Sequence, residues 1–334
     1  MTCNRGSVRW LRIGMLAAVL ALAVALPDSA RSAEQAPYPN RPIRLVVSFS
    51  PGGTSDTLAR MLSEHLEAAF GQPVVVENRP GASGNLASDL VARAAPDGYT
   101  LLQAANGITI LPSTHGERAV DPVRAFAPVT KLVTQPILVA INASLPVATL
   151  QQLVALAKTE PGRLAYATPG VGTTDHLAAA MLFRRANAEL LHVPYASNAA
   201  EIKDLVQGEV KVAFITLGAV RPFLASGQLR ALAVTTPHRV AAFPDVPTVA
   251  ESGFPGYEVT SWYGVLAPAG TPPEAIDRLH REITRVLQLP SVREKIAALG
   301  AVPADSTPEQ FSEEIRTLVR FWVPIVEAAG LGLR

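Results

Sequence analysis

The sequence predicts an α/β protein of two lobes, each of them a sheet flanked by helices. Two observations support this fold class. Short apolar runs rich in β-branched residues alternate with amphipathic helical patterns in two separate series, and a looser stretch divides the series. The 334 residues can supply two ordinary domains, and contents of 49% hydrophobic and 17% charged residues are typical of a globular protein.

The first series predicts βαβ units with a parallel sheet. An apolar run from Leu45 predicts a strand, and an amphipathic helical pattern follows it directly. Further strands are predicted at Val74–Val76 and Tyr99–Leu102, with a helix capped by Asn85 between them. The links are short, which favours parallel pairing through right-handed crossovers. Residues 106–126 then predict a loop.

The second series begins after extended apolar segments at residues 129–141, which Pro136 is expected to break. Its elements are a strand at Leu164–Ala167, a helix at Thr173–Ala186, a strand at Leu191–Val193, a helix at Ala199–Val206, a strand at Val212–Ile215, a helix at Val220–Ala225 and a strand at Leu229–Val234. Another extended segment covers Tyr257–Leu266. Three helices are predicted last, at Pro272–Leu289, Ser291–Leu299 and Thr307–Ala329, and Pro324 is expected to kink the final one.

Residues 1–33 have the composition of a cleaved export signal. A basic start with three arginines precedes an apolar core, Leu16 to Leu26, and a small-residue exit ending at Ala33. A membrane anchor is the alternative, but the apolar run is shorter than the ~20 residues that a span needs. Cleavage after Ala33 would remove Cys3, the only cysteine, and leave 25 basic and 27 acidic residues. A net charge of −2 gives no basic face for nucleic acid.

Each lobe has a glycine-containing turn between a strand and a helix. The first turn is Ser50-Pro-Gly-Gly-Thr-Ser-Asp56, and the second turn is Gly170-Val-Gly-Thr-Thr-Asp-His176. A helix start offers free backbone N–H donors and the positive end of the helix dipole, which suit an anion. Either turn alone is also consistent with an ordinary βα loop. Two of them, one in each lobe, favour a shared anionic ligand in a crevice at the strand ends.

Other kinds of site find little support in the sequence. The second turn lacks the third glycine of a dinucleotide fingerprint, because Asp175 stands there, and the chain contains no Walker A sequence and no G-x-S-x-G elbow. The six histidines lie too far apart for a recognisable metal motif. His176 could contact a ligand or only cap and pack its helix. Phe49, Tyr195 and Tyr263 could line the crevice or pack in the core. We predict no catalytic residue, metal or cofactor.

The chain resembles the substrate-binding proteins of tripartite tricarboxylate transporters, the Bug family. The resemblance spans nearly the whole mature chain. Its motifs, in order, are Tyr38-Pro-x-Arg-Pro-Ile-Arg-Leu-Val-Val, Ser50-Pro-Gly-Gly-Thr-Ser-Asp56, Val76-Glu-Asn-Arg-Pro-Gly-Ala-Ser-Gly-Asn85, Ala95-Pro-Asp-Gly-Tyr-Thr-Leu101, Gly170-Val-Gly-Thr-Thr-Asp-His-Leu177, His192-Val-Pro-Tyr195, Gly227-Gln-Leu-Arg-Ala-Leu-Ala-Val234 and Pro244-Asp-Val-Pro-Thr-Val-Ala-Glu-Ser-Gly253.

The resemblance implies a periplasmic binding protein of type 2, a Venus-flytrap, with lobe 1 at residues 34–134 plus 259–334 and lobe 2 at 135–258. The chain would cross between the lobes near Gln135 and Val259. Backbone amides and hydroxyls of the two turns would hold a carboxylate. The implied ligand-binding residues are Phe49, Ser50, Gly52, Gly53, Thr54, Asp56, Asn106, Gly170, Gly172, Thr173, Thr174, His176, Tyr195 and Thr216.

Thr216 is a departure, since many members of the family have an acid there that could receive an amino group. Its absence favours a plain mono- or dicarboxylate over an amino acid. The implied function is that of a monomeric periplasmic receptor that captures a small carboxylate and delivers it to a membrane permease, without enzymatic activity. One alternative is a periplasmic sensor that presents its loaded form to a membrane signalling partner. Another is an exported hydrolase that uses Ser50 or Thr54, for which the sequence supplies no base.

Overall fold

A computed structural model describes residues 38–332, and residues 41 onward belong to one compact unit. The predicted signal segment, residues 1–33, lies outside the described residues. Within residues 38–332, no helix combines the length and the apolar character needed to cross a membrane.

The strands of the described residues form one mixed sheet of order β2-β1-β3-β9-β4-β7-β5-β6, in which β8 and β10 also pair with β4. The strands are β1 (Ile43–Val47), β2 (Val74–Asn78), β3 (Thr100–Ala105), β4 (Phe126–Asn142), β5 (Ala165–Thr168), β6 (Leu191–Pro194), β7 (Val212–Thr216), β8 (Leu229–Val234), β9 (Thr260–Pro268) and β10 (Val302–Pro303). The sequence predicted each of them within a few residues, apart from the two-residue β10.

Helices cover both faces of this sheet. They are α1 (Thr54–Phe70), α2 (Asn85–Ala92), α3 (Leu111–His115), α4 (Pro122–Ala125), α5 (Leu150–Thr159), α6 (Thr174–Arg185), α7 (Asn198–Gln207), α8 (Leu217–Ala225), α9 (Pro273–Leu287), α10 (Pro290–Ala298) and α11 (Pro308–Ala328). The three predicted C-terminal helices are confirmed. The expectation of a loop at residues 106–126 was wrong, because this segment folds into α3, α4 and two 3₁₀ turns.

The expected parallel pairing is confirmed at both ends of the sheet only. Strand β1 is parallel to β2 and β3, and β5 is parallel to β6 and β7. The middle is antiparallel, because β9 pairs with both β3 and β4. Carboxyl ends of parallel strands meet at one edge of a sheet, so β1 and β3 direct their following turns to one place, and β5 and β7 do likewise.

Strand β4 continues through Pro136, contrary to the expected break. Up to and including Pro136, β4 pairs with β9, and Pro136 faces Thr260. The short strand β10 also pairs with this part of β4, where Val302 faces Thr134. From Ile137 onward, β4 pairs with β7 instead. Pro136 lacks an N–H, and it lies where β4 exchanges partners, so the strand tolerates it there. These partner changes coincide with the predicted crossings, and the lobe boundaries themselves stay a prediction.

The core of the described residues contains separate apolar clusters, and helix α11 contributes to two of them. Phe311 and Ile315 pack in one cluster with Trp262, beside β1 and β3 residues. Trp322 and Val326 pack in another cluster, which β4, β7 and α6 dominate. The last helix therefore joins apolar groups on both sides of the point where β4 changes partners.

Candidate ligand-binding site

The first turn, residues 50–56, joins β1 to α1 and is held by Asp56. Gly52 has φ of +87°, which favours glycine, and its N–H donates to Asp56 Oδ2 over 3.0 Å. Asp56 is buried and also accepts from Arg60 and Asn78, each over 3.0 Å. The hydrogen bond from Arg60 outweighs the effect of burial and holds the pKa of Asp56 below its usual value. The carboxylate therefore fixes the turn, and it neutralises the cation beside it.

Helix α1 begins without a side-chain cap. Gly53 stands at the N-cap with extended backbone angles, φ −87° and ψ 177°, and no side chain accepts from the first turn of the helix. The first N–H groups of a helix have no partner within the helix, so they face outward as donors. Ser50 is exposed and Thr54 is half-buried, and both belong to the turn that leads into this helix start. Such a helix start suits an anion.

The second turn, residues 170–176, repeats the arrangement of the first. Gly172 has φ of +73°, and its N–H donates over 3.0 Å to Nδ1 of His176, again four residues later. Thr173 caps α6 by accepting from the His176 N–H, and its hydroxyl donates to the carbonyl oxygen of Gly170 over 2.9 Å. Asp56 and His176 therefore have equivalent positions in the two turns. Whether either also contacts a ligand stays a prediction.

A pair of stacked imidazoles supports the second turn. The rings of His176 and His192 lie 3.8 Å apart, with 8° between their planes. Thr168 Oγ1 lies 2.7 Å from His192 Nε2 and 3.2 Å from the carbonyl oxygen of Gly170, so one hydroxyl ties His192 to the turn. Burial and the neighbouring His192 lower the pKa of His176 to about 4. A neutral His176 leaves Nδ1 free to accept from Gly172, as the hydrogen bond requires.

Asn106, at the end of β3, meets the second turn across the site. Its Nδ2 lies 3.4 Å from Thr174 Oγ1 and 3.3 Å from the carbonyl oxygen of Thr260. A methyl group placed on Gly172 would lie 3.8 Å from Thr114 Cγ2 of α3. These contacts bring the second turn against residues that the sequence assigned to the other lobe.

The remaining predicted residues differ in how close they lie to this contact. Phe49 is 40% exposed, and its ring meets that of Tyr263 edge to face, with 6.3 Å between centroids. Tyr195 turns its hydroxyl toward α7, where it donates to Asp204 over 3.0 Å. The backbone of Tyr195 still adjoins the second turn, since a Cβ added at Gly170 would lie 3.9 Å from the Tyr195 carbonyl oxygen. Thr216 stands at the N-cap position of α8 without a side-chain capping hydrogen bond, and it pairs with Ile137 of β4. Thr216 has no such contact with either turn among the described residues.

Beside the first turn lie residues that, apart from Phe49, the sequence did not predict as part of the site. A small cavity lies there, lined by Ser48, Phe49, Ser83, Gly84, Ser88, Ala104, Ala105, Gly107, Ile108 and Leu111. Ala82 and Ser83 have positive φ, 47° and 55°, between two glycines that also have positive φ. Backbone strain of this kind concentrates at functional sites. The Gly81-Ala-Ser-Gly84 motif was visible in the sequence, but the strain at its two non-glycine residues was not.

Two buried acids accompany the second turn, Asp175 within it and Glu201 on α7. Asp175 is 8% exposed, with Oδ1 unpartnered among the described residues, and Glu201 of α7 is fully buried, with neither carboxyl oxygen partnered. Burial raises the pKa of Asp175 to about 7. Burial, with the nearby charge of Asp175, raises the pKa of Glu201 to about 9. Glu201 therefore favours the neutral form at pH 7, and Asp175 favours it below about pH 7.

Comparison with known proteins identifies the family. The model for the tripartite tricarboxylate transporter family receptor, TctC, matches residues 58–331. The chain is 36% identical to protein BugT of Bordetella pertussis over 325 residues, which cover 96% of this chain and 98% of BugT. The structure of R. palustris Rpa4515 with adipate is similar, with a TM-score of 0.81, 34% identity, and coverage of 88% of this chain and 99% of that one.

The malate-bound structure of MatC (Rpa3494) from Rhodopseudomonas palustris is similar as well. Its TM-score is 0.78 at 29% identity, with coverage of 86% of this chain and all of that one. The similarity extends over nearly the full length of these proteins, so it concerns the complete two-lobed α/β fold of periplasmic binding proteins. The chain therefore belongs to the tripartite tricarboxylate transporter receptor family.

Proposed function

We propose that this protein is an extracytoplasmic receptor that captures a small carboxylate between its two turns and delivers it to a tripartite tricarboxylate-type permease. The observation that carries the proposal is the matched pair of turns. Each combines a positive-φ glycine, a side chain four residues later that accepts the glycine N–H, and a helix start. Relatives with bound adipate and bound malate support a carboxylate as the ligand class.

The donors in this proposal are neutral backbone amides and hydroxyls. The cation next to the first turn, Arg60, is already paired with Asp56, and His176 is neutral at ordinary pH. An anion held by neutral donors is bound less tightly than one held by a buried ion pair, which suits a receptor that must also release its cargo. Closure would follow from the higher affinity of the closed form for the ligand.

The proposed closure moves the two predicted lobes about the crossings near Gln135 and Val259. Support comes from β4, which pairs with β9 before Pro136 and with β7 from Ile137. Export to the periplasm is part of the proposal and rests on the composition of residues 1–33. The permease partner rests on membership of the family.

A thermal-shift screen of carboxylates tests the proposal directly. Ligands that bind the folded state raise the melting temperature by mass action, so a plain mono- or dicarboxylate should raise it most. Hits are then measured by titration calorimetry. Tight binding of aspartate or glutamate with no binding of plain carboxylates would contradict the proposed ligand class. The lack of any response to carboxylates would contradict the function itself.

A further inference from the structure

If Asp175 and Glu201 are both ionised, they place two negative charges in or near the second turn, where the anion is proposed to bind. Glu201 is fully buried and Asp175 is 8% exposed, and three of their four carboxyl oxygens lack a hydrogen-bond partner among the described residues. A buried, unpaired carboxylate is strongly unfavourable. Asp175 also lies within the second turn, between Thr174 and His176, so an anion held there would come close to it.

The groups around these acids offer no compensating positive charge. Burial and the neighbouring His192 keep His176, next to Asp175 on α6, neutral by lowering its pKa to about 4. Its Nδ1 accepts the Gly172 N–H, and His192 of β6 stacks on its ring. The remaining neighbours are phenols and acids. Burial, and after it the nearby Asp175, raises the pKa of Tyr263 on β9, and Tyr195 is already bonded to Asp204 of α7. Among the described residues, no arginine or lysine is close enough to shift the pKa of either acid.

We propose that Asp175 and Glu201 form an acid pair in which both carboxyls are protonated whenever the second turn holds an anion, so that ligand binding is coupled to protonation of this pair. The inference rests on the proposed function, since the anion is the captured carboxylate. Protonation removes the repulsion between the acid pair and the ligand. Rising pH deprotonates the pair and weakens binding of the carboxylate ligand to the second turn.

The same pair sets a preference between two ligands of nearly equal shape. Malate carries a hydroxyl where aspartate carries an ammonium group. A neutral acid pair gives the ammonium group no counter-charge, so malate should bind more tightly than aspartate. An ionised pair would reverse this order, because a buried carboxylate attracts an ammonium group. The pair would then determine specificity by its protonation state.

The first experiment measures protonation in the ligand-free protein. The unfolded chain loses these two protons near the ordinary values of 3.8 and 4.5, and the folded chain keeps them to higher pH. Unfolding therefore releases protons, and stability falls as pH rises through the range up to about 9. Above pH 6.5 the histidines contribute little to this pH dependence of stability, since their imidazoles are then mostly neutral in the unfolded chain. Urea unfolding of the wild type should show an unfolding constant that rises by up to about tenfold per pH unit for each proton.

Isosteric variants isolate the pair. Asp175→Asn and Glu201→Gln remove the ionisable group with little change in shape, so each should flatten the dependence of the unfolding constant on pH. Glu209→Gln is the matched control, because Glu209 is an exposed acid just after the same helix, and it should keep the wild-type slope. Equal slopes in all four proteins would overturn the proposal.

The second experiment measures binding of malate, adipate and aspartate by titration calorimetry at pH 6.5 and at pH 9. Wild-type affinity for malate and adipate should fall at the higher pH, and the loss should be smaller in Asp175→Asn. Affinity independent of pH in the wild type would overturn the coupling. Tighter binding of aspartate than of malate, lost in Asp175→Asn, would also overturn it. Failure of all three ligands to bind would contradict the proposed function, and the unfolding slopes would still decide whether the pair is protonated.

Discussion

At the scale of single residues, the two turns differ in which glycine each of them requires. Gly52 and Gly172 have positive φ, whereas Gly53 has φ of −87° and open space around the position of an added Cβ. The sequence identified all of these glycines as site residues. It could not separate a glycine needed for backbone geometry from one needed for close approach of a ligand, because both needs give the same residue type.

We predict that valine at Gly172 abolishes carboxylate binding and also lowers stability by about 1–2 kcal/mol, because a side chain disfavours positive φ. Gly227→Val is the matched control, since Gly227 has the same φ of +73° and open space around it, away from both turns. It should lose similar stability and keep wild-type affinity. Gly53→Val should lose binding with little loss of stability. Titration calorimetry and urea unfolding measure both effects, and wild-type affinity in Gly172→Val and Gly53→Val would refute the two-turn clamp.

The sequence predicted where the site lies better than it predicted what each side chain does there. Strand, glycines and helix start are local features, so both turns were recognisable from their motifs. Asp56 and His176 were predicted as ligand contacts, and the structure shows both of them accepting a glycine N–H. The roles of Glu201 and His192 depend on packing between elements far apart in the chain, which no local pattern reveals.

At the scale of secondary-structure elements, periodicity in the sequence predicted the helices and most strands. It did not predict features that depend on pairing between segments far apart in the chain. Strand β4 runs through Pro136 because its partners change there, and the β3–β9–β4 pairing is antiparallel because β9 returns from the second series. Residues 106–126 form short helical turns that pack under α11. Such short turns have no room for a helical repeat in the sequence, so the pattern indicated only a loop.

Helix α11 gives a prediction at this scale. Trp322 is 1% exposed within the cluster of β4, β7 and α6, and its neighbour Phe321 is 37% exposed. Trp322→Ala should lower the free energy of unfolding by about 3–5 kcal/mol, because it leaves a cavity in that cluster. Phe321→Ala changes the adjacent aromatic residue and should cost less than about 1.5 kcal/mol. Urea unfolding measures both effects. Similar losses of unfolding free energy in the two variants would show that packing of Trp322 in this cluster does not stabilise α11.

At the scale of the whole molecule, two α/β series were predictable because each repeats the same local pattern of strand, turn and helix. Their relative placement was not predictable, because it depends on contacts between distant segments. One such contact joins the start of α8 to the segment after α10. The carbonyl oxygen of Leu299 accepts from Gln135 Nε2 over 3.3 Å, and an added Cβ at Gly218 would lie 1.9 Å from the same oxygen. This approach crosses the predicted lobe boundary, and it requires a glycine.

Gly218→Ala should therefore keep the two predicted lobes from closing fully. The added methyl cannot occupy a position 1.9 Å from a backbone oxygen, so the segments must move apart, at a cost of about 1–3 kcal/mol to the arrangement seen in this structure. We infer that this arrangement is the closed form, because Asn106 meets Thr174 of the second turn across the site. Carboxylate affinity should fall by about tenfold or more. Solution scattering with saturating carboxylate should give a larger radius of gyration than for the wild type. Gly227→Ala, at the other end of α8 with open space around it, is the control and should close normally. Wild-type affinity together with a wild-type radius in Gly218→Ala would show that this contact is not part of closure.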